Sequence, residues 1–481
     1  MVSGILIPQQ SPAQEMAALG FSNYSGISGI RINPAFLTGS KVYLDVNILG
    51  GHVFFDNNFA YIPNDSVNFW SFLRKDTLPT PYGGYGFNDL YTYYSGRKYN
   101  NLAAVASVMA PSAMLQVGKH AFGISFSARN YESTYRASNN LLQLLYNGIS
   151  DATTVGETGT FKNLNFVSLS WMELGLHYAY DFYNRYGEKL TAGASLKLLY
   201  GVEGFYSSIN ELKYQKLDSI HYQIDTLNGS VGFSLPIDYN NSSAYLNPLT
   251  KGHGIGLDLG IVYTRNRSNV APKDEKSLCG KPYEDYLYRI GFSIMDIGRI
   301  RFKNHAQLHE YQVGNVVLNS DNLIQNPSGM NGIMQNVSSL LYNGDSLASL
   351  KDSVFSMSLP TAMSLQMDYH FKKNIYISGL WIQPLRFQNK SLRRPAQLLV
   401  MPRYDTREFG VSLPISWYDY QKLRLGLALR FYTVTIGTEK LGTFLGVGDL
   451  TGMDLYFNIK INLQKGTCLS WKNGACFSAG K

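Results

Sequence analysis

The chain has 481 residues, of which 16% are charged, well below the roughly 25% usual for soluble globular proteins, and 14% are aromatic, with 35 Tyr and 45 Gly. Its formal charge of +8 is scattered along the length, which argues against a nucleic-acid partner. No apolar run approaches the ~18 residues of a membrane-spanning helix, so helical spans are excluded, and the composition suits a β-rich chain with a partly apolar exterior.

In chain order, residues 1–14 read as either the remnant of a signal peptide or a disordered leader. Ser11-Pro12-Ala13 resembles a small-residue cleavage site, but the apolar stretch before it is only GILIP. Residues 15–40 form a Gly/Ser-rich arm. Within it Asn33 reads as the N-cap of a short helix, Pro34 as its first turn, and Gly39 as a left-handed stop. Strict alternation then begins, and residues 41–464 form one unit. "AFGISFSARNY" sets Phe122, Ile124, Phe126 and Ala128 against Gly123, Ser125, Ser127 and Arg129. "KLRLGLALRFY" sets Leu423, Leu425, Leu427, Leu429 and Phe431 against Arg424, Gly426, Ala428 and Arg430. About fourteen such strands of about ten residues each are expected, the length that crosses a bilayer when tilted. The polar face, rich in Gly, Ser and Asn, suits a crowded lumen, and tyrosines near strand ends (Tyr178, Tyr180, Tyr200, Tyr263, Tyr369, Tyr432) suit an interfacial girdle. The predicted fold is therefore all-β: a single transmembrane antiparallel β-barrel of about fourteen strands, with an N-terminal plug arm and short loop helices. A soluble sandwich usually has shorter strands, of 5–6 residues.

One hairpin can be registered. Residues 172–182 and 189–200 flank "YNRYGEK", and their apolar faces match only if paired numbers sum to an even value. A sum of 370 predicts Leu174 opposite Leu196, Leu176 opposite Ala194, and Glu173 touching Lys197 in the lumen. His177, Asp181 and Asp258 fall on the same polar, lumen-facing set, and Asp258 and Asp296 read as structural carboxylates in need of partners.

Three insertions read as loop helices. Residues 65–79 carry an apolar stripe that includes Phe69 and Trp70. Residues 139–150 and 336–347 share the string LLYNG, with Leu144, Leu145, Leu340 and Leu341 as their apolar positions and helix ends at Asn147-Gly148 and Asn343-Gly344. These helices either line an apolar entrance at one barrel mouth or cap small cores of their own. The tail, residues 465–481, holds Cys468 and Cys476, which either bridge a small loop or stay as isolated thiols; Cys279 is odd.

No P-loop, GxSxG, HExxH or dinucleotide fingerprint is present. His305 and His309 lack the flanking glutamate of a zinc site, and the nearest Ser–His pair, Ser195 with His177, reads as lumen packing. No enzyme, metal or cofactor is expected.

"NYSGISGIRINPAFL", "GIGLDLGIVY" (254–263), "RIGFSIMDIGRIRF" (289–302) and "GMDLYFNIKINL" (452–463) together resemble the FadL-like superfamily, which includes fatty-acid-transport porins and the PorV-type barrels of type IX secretion. The stretch is most similar to a Bacteroidota family of outer-membrane barrels. The resemblance implies a fourteen-strand barrel in the outer membrane of a Gram-negative, Bacteroidota-like bacterium, with the arm folded inside as a plug around Asn33, Pro34, Ala35 and Phe36. It implies outer-membrane lipid as surroundings and a hydrophobic or small amphipathic solute passed or held. The alternative it also implies is a PorV-like docking platform for a secretion or surface-assembly protein, with exposed aromatics such as Trp70 at the contact. The tail after Leu463 departs from the pattern, in which the last strand ends on an aromatic residue.

Overall fold

The computed structural model describes residues 16–63, 92–94, 99–139, 155–267, 285–321, 329–385, 392–465, 467–470 and 476–479, with Trp70, Arg74, Leu142 and Tyr283 besides. Alternation becomes a closed antiparallel wall of fourteen strands, several of them interrupted. In order they are β1 (Val42–Asn57), β2 (Tyr99–Met109 with Ser112–Val117), β3 (His120–Ser138), β4 (Thr158–Arg185), β5 (Glu188–Lys216) and β6 (His221–Ser234 with Gly252–Asn266). There follow β7 (Tyr286–Phe302 with Gln307–Val313 and Val316–Asn319), β8 (Leu350–Asp352 with Phe355–Ser358 and Ala362–Lys372), β9 (Ile375–Pro384) and β10 (Gln397–Asp405). The last four are β11 (Phe409–Ser412 with Ile415–Tyr418), β12 (Lys422–Leu425 with Leu427–Phe431), β13 (Val434–Thr438) and β14 (Gly452–Gln464). Pairing of β14 with β1, from Val42–Gln464 to Asp56–Gly452, closes the barrel and removes the free edges.

The exposed face of the wall is the apolar one. Phe122, Ile124 and Phe126 are exposed, as are Leu423, Leu425, Leu429 and Phe431, whereas Ser125, Arg424, Ala428 and Arg430 are buried inside. That inversion of a soluble protein's pattern is what a barrel surrounded by lipid requires. Tyr178, Tyr186, Tyr369, Tyr404 and Tyr432 are exposed near the end of the wall that carries most of the short turns, at the level of a bilayer interface.

The strands are longer than the expected ten residues on one side. β4 and β5 run for 28 and 29 residues, and with the upper parts of β6 and β7 they project beyond the rest of the wall. This projection carries its own small core of Phe161, Tyr214, Tyr222 and Ile224. The β4–β5 register also differs from expectation by two residues. Leu176 faces Leu196, Glu173 faces Leu199, and Lys197 faces Gly175, a sum of 372. The tight turn sits at Tyr186-Gly187, both with positive φ (53° and 75°), and one irregularity at Asp181/Tyr183 follows it. Faces are unchanged by a shift of two, so Glu173 and Lys197 do share the lumen, but Lys197 bonds elsewhere.

Residues Met16–Ser40 lie inside the wall, almost wholly buried. The arm carries two 3-10 turns, Gly26–Arg31 and Pro34–Leu37, and the Asn33 side chain accepts from the Ala35 N–H at 2.9 Å, as an N-cap does. Gly39 does not adopt the expected left-handed conformation. Its space is limited by Arg289, whose guanidinium donates to the Gly39 carbonyl at 3.1 Å.

Of the loop helices, one spans Gly329–Leu341 and starts earlier than expected. Its chain reverses at Asn343 and Gly344, both with positive φ. Most of 65–79 and 139–150 lies outside the described residues, including Phe69, Leu144 and Leu145. Beyond the wall, Thr467–Ser470 pairs with Cys476–Ala479, placing Cys468 opposite Ser478 and Cys476 opposite Ser470, so the two cysteines are not directly cross-strand.

Candidate functional site

The arm is seated on glycines. A Cβ added at Gly193 would lie 2.4 Å from the Ala35 nitrogen, and one at Gly260 would lie 2.0 Å from Asn33 Oδ1. Wall side chains there are absent because arm backbone fills their place. Asn33 Nδ2 donates to Gln366 Oε1 at 2.9 Å and to the carbonyls of Phe292 and Ile261 at 3.2 and 3.3 Å, so one amide ties the arm to β6, β7 and β8. Pro34 and Ala35 rest on β5, and Phe36 packs against Phe21 and under the Arg289 guanidinium.

Further anchors run the length of the arm. Glu439 accepts from Ala17 N at 3.0 Å, Asp405 from Asn23 N at 2.7 Å, and Asp45 from Ile27 N at 2.9 Å. Asp181 accepts from Thr38 Oγ1 at 2.7 Å and from Thr191 at 2.7 Å, and Lys460 donates to the carbonyls of Tyr24 and Ser25. Hydrogen bonds to charged groups contribute about 1.5–3 kcal/mol each. Release of the whole arm would break many of these at once.

Beyond the arm lies a cavity of about 90 Å³, room for a few waters, whose lining includes Arg129, Glu173, His177, Lys197, Asp258 and Asp296. Asp296 is its hub. It receives Arg129 at 3.0 Å, Lys197 at 2.8 Å and Arg394 at 3.4 Å, while Thr361 donates to its carbonyl at 2.7 Å. Its φ of 56° belongs to a bulge at which β6 and β7 slip register between Leu257 and Leu259. Asp258 takes Lys197 at 2.7 Å and the Asp296 N–H at 2.7 Å. Glu173 accepts from Ser127 at 2.8 Å and lies 3.6 Å from Arg129. His177 is bonded on both ring nitrogens to hydroxyls, Ser195 at 2.7 Å and Ser125 at 2.8 Å.

The lumen narrows from the loop side as well. Leu392, Arg393 and Arg394, between β9 and β10, are buried in the barrel, and the Arg393 carbonyl accepts from Tyr131 OH at 3.1 Å. Near that mouth Asp56 holds three cations, Lys440 at 2.8 Å, Lys422 at 2.9 Å and Arg424 at 3.0 Å. Burial pushes the Lys440 ammonium down to about 8, against the pull of Asp56 and with the push of Arg424 and Lys422.

A second space has the opposite chemistry. A cleft of about 500 Å³ lies by the outward side of Phe55, Leu102, Thr134 and Met453, with Phe59–Ile62, Leu142 and Leu450 also lining it. The bridge between Ile62 and Leu450, N–H to carbonyl at 3.1 and 2.9 Å, holds part of its lining. Among the described residues no charged side chain lines it. The Asn57 amide is engaged by neighbouring backbone, accepting from Phe59 and Ala60 and donating to Thr451.

The structure thus brings Glu173, His177, Lys197 and Asp258 to one cavity, and sets Asp181 apart, under the arm. Leu341 is buried and Leu340 is half-buried. Trp70 donates its indole N–H to the Phe444 carbonyl at 3.0 Å. The cleft and the inturned Arg393-Arg394 pair had no motif. The paired arginines in "SLRRPAQ", between two apolar strands, were the available signal for the latter.

Among solved structures, the chain is similar to the toluene transporter TbuX of Ralstonia pickettii, at 12% identity and a TM-score of 0.41 over 92% of this chain and 95% of that one. It is also similar to a FadL homologue of Pseudomonas aeruginosa, at 12% identity and 0.41 over 94% and 98%. A third is the translocator domain of the autotransporter NalP from Neisseria meningitidis, at 6% identity and 0.31 over 90% and 93%. No curated protein matches the sequence. Residues 34–439 match a family described as of unknown function, DUF5723, a span that runs from the arm's Pro34 to Glu439 beyond the thirteenth strand. The chain belongs to the DUF5723 family.

Proposed function

We propose that this barrel sits in the outer membrane of a Gram-negative bacterium and passes or holds a hydrophobic or small amphipathic solute, with the arm as a resident plug. The observation that carries this reading is the contrast between the two spaces. The lumen is narrow and ionised, so an apolar solute there would strip water from paired charges at high cost. The cleft is roomy, uncharged among its described residues and open to the lipid-facing side of the wall, within the size range of small-molecule sites. Solute is taken up there, and the absence of charge among the described lining residues favours a neutral molecule over an ionised one.

Binding of the neutral fluorescent amine 1-N-phenylnaphthylamine to the barrel in nanodiscs tests the reading. Leu102→Asp, which places a carboxylate in the cleft, is expected to weaken binding at least about tenfold, since an unpaired buried charge is costly. Equal binding by the folded variant would remove the cleft from the account.

A further inference from the structure

The lipid-facing side of β7 changes character abruptly. Ile290, Phe292, Ile294 and Ile297 are followed on that side by Arg299 and Arg301, both exposed, and then by exposed Lys303. Register places Arg301 beside His253, which faces Tyr200, and places Arg299 beside Ile255, which faces Leu198. His253 and Tyr200 meet edge to face at 5.6 Å, and Ser356 and Ser358 flank the arginines from β8. Among the described residues the side chains of Arg299, Arg301 and Lys303 have no hydrogen-bonded or ion-paired partner.

Height on the wall says what such a patch meets. Tyr200 lies 12 residues along β5 from Glu188 at the short turn. At ~3.4 Å per residue and a tilt near 40°, that is about 30 Å, just past an apolar band ~25 Å tall. Ile255, Leu259 and Leu196 form the band directly below, and the exposed loop with Tyr245, Leu246 and Leu249 stands beside the patch, Tyr245 contacting His305 at 4.6 Å. Unpaired guanidiniums above aliphatic side chains complement a phosphate above acyl chains.

We propose that Arg299 and Arg301, with His253 and Lys303 alongside, bind the phosphate-bearing headgroup of a lipid in the leaflet on the loop side. The site rests on the membrane placement of the barrel and not on the solute reading. The test uses the full-length barrel in dodecylmaltoside micelles containing dioleoyl phosphatidic acid or dioleoyl phosphatidylcholine, with retained lipid counted by native mass spectrometry. A basic residue near an anionic surface contributes roughly a fivefold preference, so the double variant Arg299→Ser/Arg301→Ser is expected to retain phosphatidic acid roughly 20-fold less. Arg299→Lys/Arg301→Lys should retain most of it, and Lys213→Ser, on the distal projection, should change nothing. Undiminished retention by the serine variant, or displacement of the lipid by inorganic phosphate, would overturn the proposal, the latter by marking a site for soluble anions. No solute enters the assay, so its outcome and that of the cleft experiment fall independently.

Discussion

Asp296→Asn is expected to lower the stability of the folded barrel by about 3–5 kcal/mol, read as an earlier loss of the compact band when detergent-extracted protein is heated before a denaturing gel. Arg129, Lys197 and Arg394 all converge on this carboxylate. Removing its charge leaves the buried Arg129 and Lys197 to share Asp258 and Glu173. Asparagine is the informative substitution because it also tolerates the positive φ at this position, so backbone strain is not introduced with the charge change. A variant as heat-resistant as the parent would mean that the hub is dispensable and that the lumen tolerates unpaired cations.

The double variant Gly193→Val/Gly260→Val is expected to unseat the arm and raise ion current through planar bilayers at least roughly tenfold over the nearly closed parent, since an emptied barrel leaves an aqueous channel. The added side chains would occupy the positions of Asn33, Pro34 and Ala35, within 2.0–2.5 Å of their nearest atoms, and those atoms cannot give way without losing the Asn33 bonds to the wall. Deletion of residues 20–36 should produce the same current. If both variants fold and neither conducts, the arm does not close the pore, and the inturned Leu392–Arg394 segment becomes the barrier.

Much of this architecture is legible in the residues. Period-two alternation in "KLRLGLALRFY" or "AFGISFSARNY" identifies both faces of a strand, and the excess of polar and charged residues on one face identifies the lumen, because lipid disfavours charge. What alternation conveys is parity alone. It placed Glu173, His177 and Lys197 on one face, while the absolute register depended on the left-handed turn at Tyr186-Gly187 and the irregularity beyond it, which shift pairing by two without changing faces. The bulge at Asp296 is visible only as a break in the rhythm of "IMDIGRI", where Met295 and Asp296 are buried in succession. The cleft was illegible because it is assembled from the ends of four strands and three loops far apart in sequence, each unremarkable alone. The glycine seat was half legible: Gly193 and Gly260 fall on lumen positions, but only the arm's path explains why those glycines and not others touch it.

The most direct measurement of the central claim is uptake of 1-N-phenylnaphthylamine by intact Gram-negative cells that express the barrel or its Leu102→Asp variant, alongside uptake of a small sugar. Dye should enter faster with the parent than with the variant, and neither should raise sugar permeability. Sugar uptake at an open-pore rate, or dye uptake equal in both, would contradict the claim.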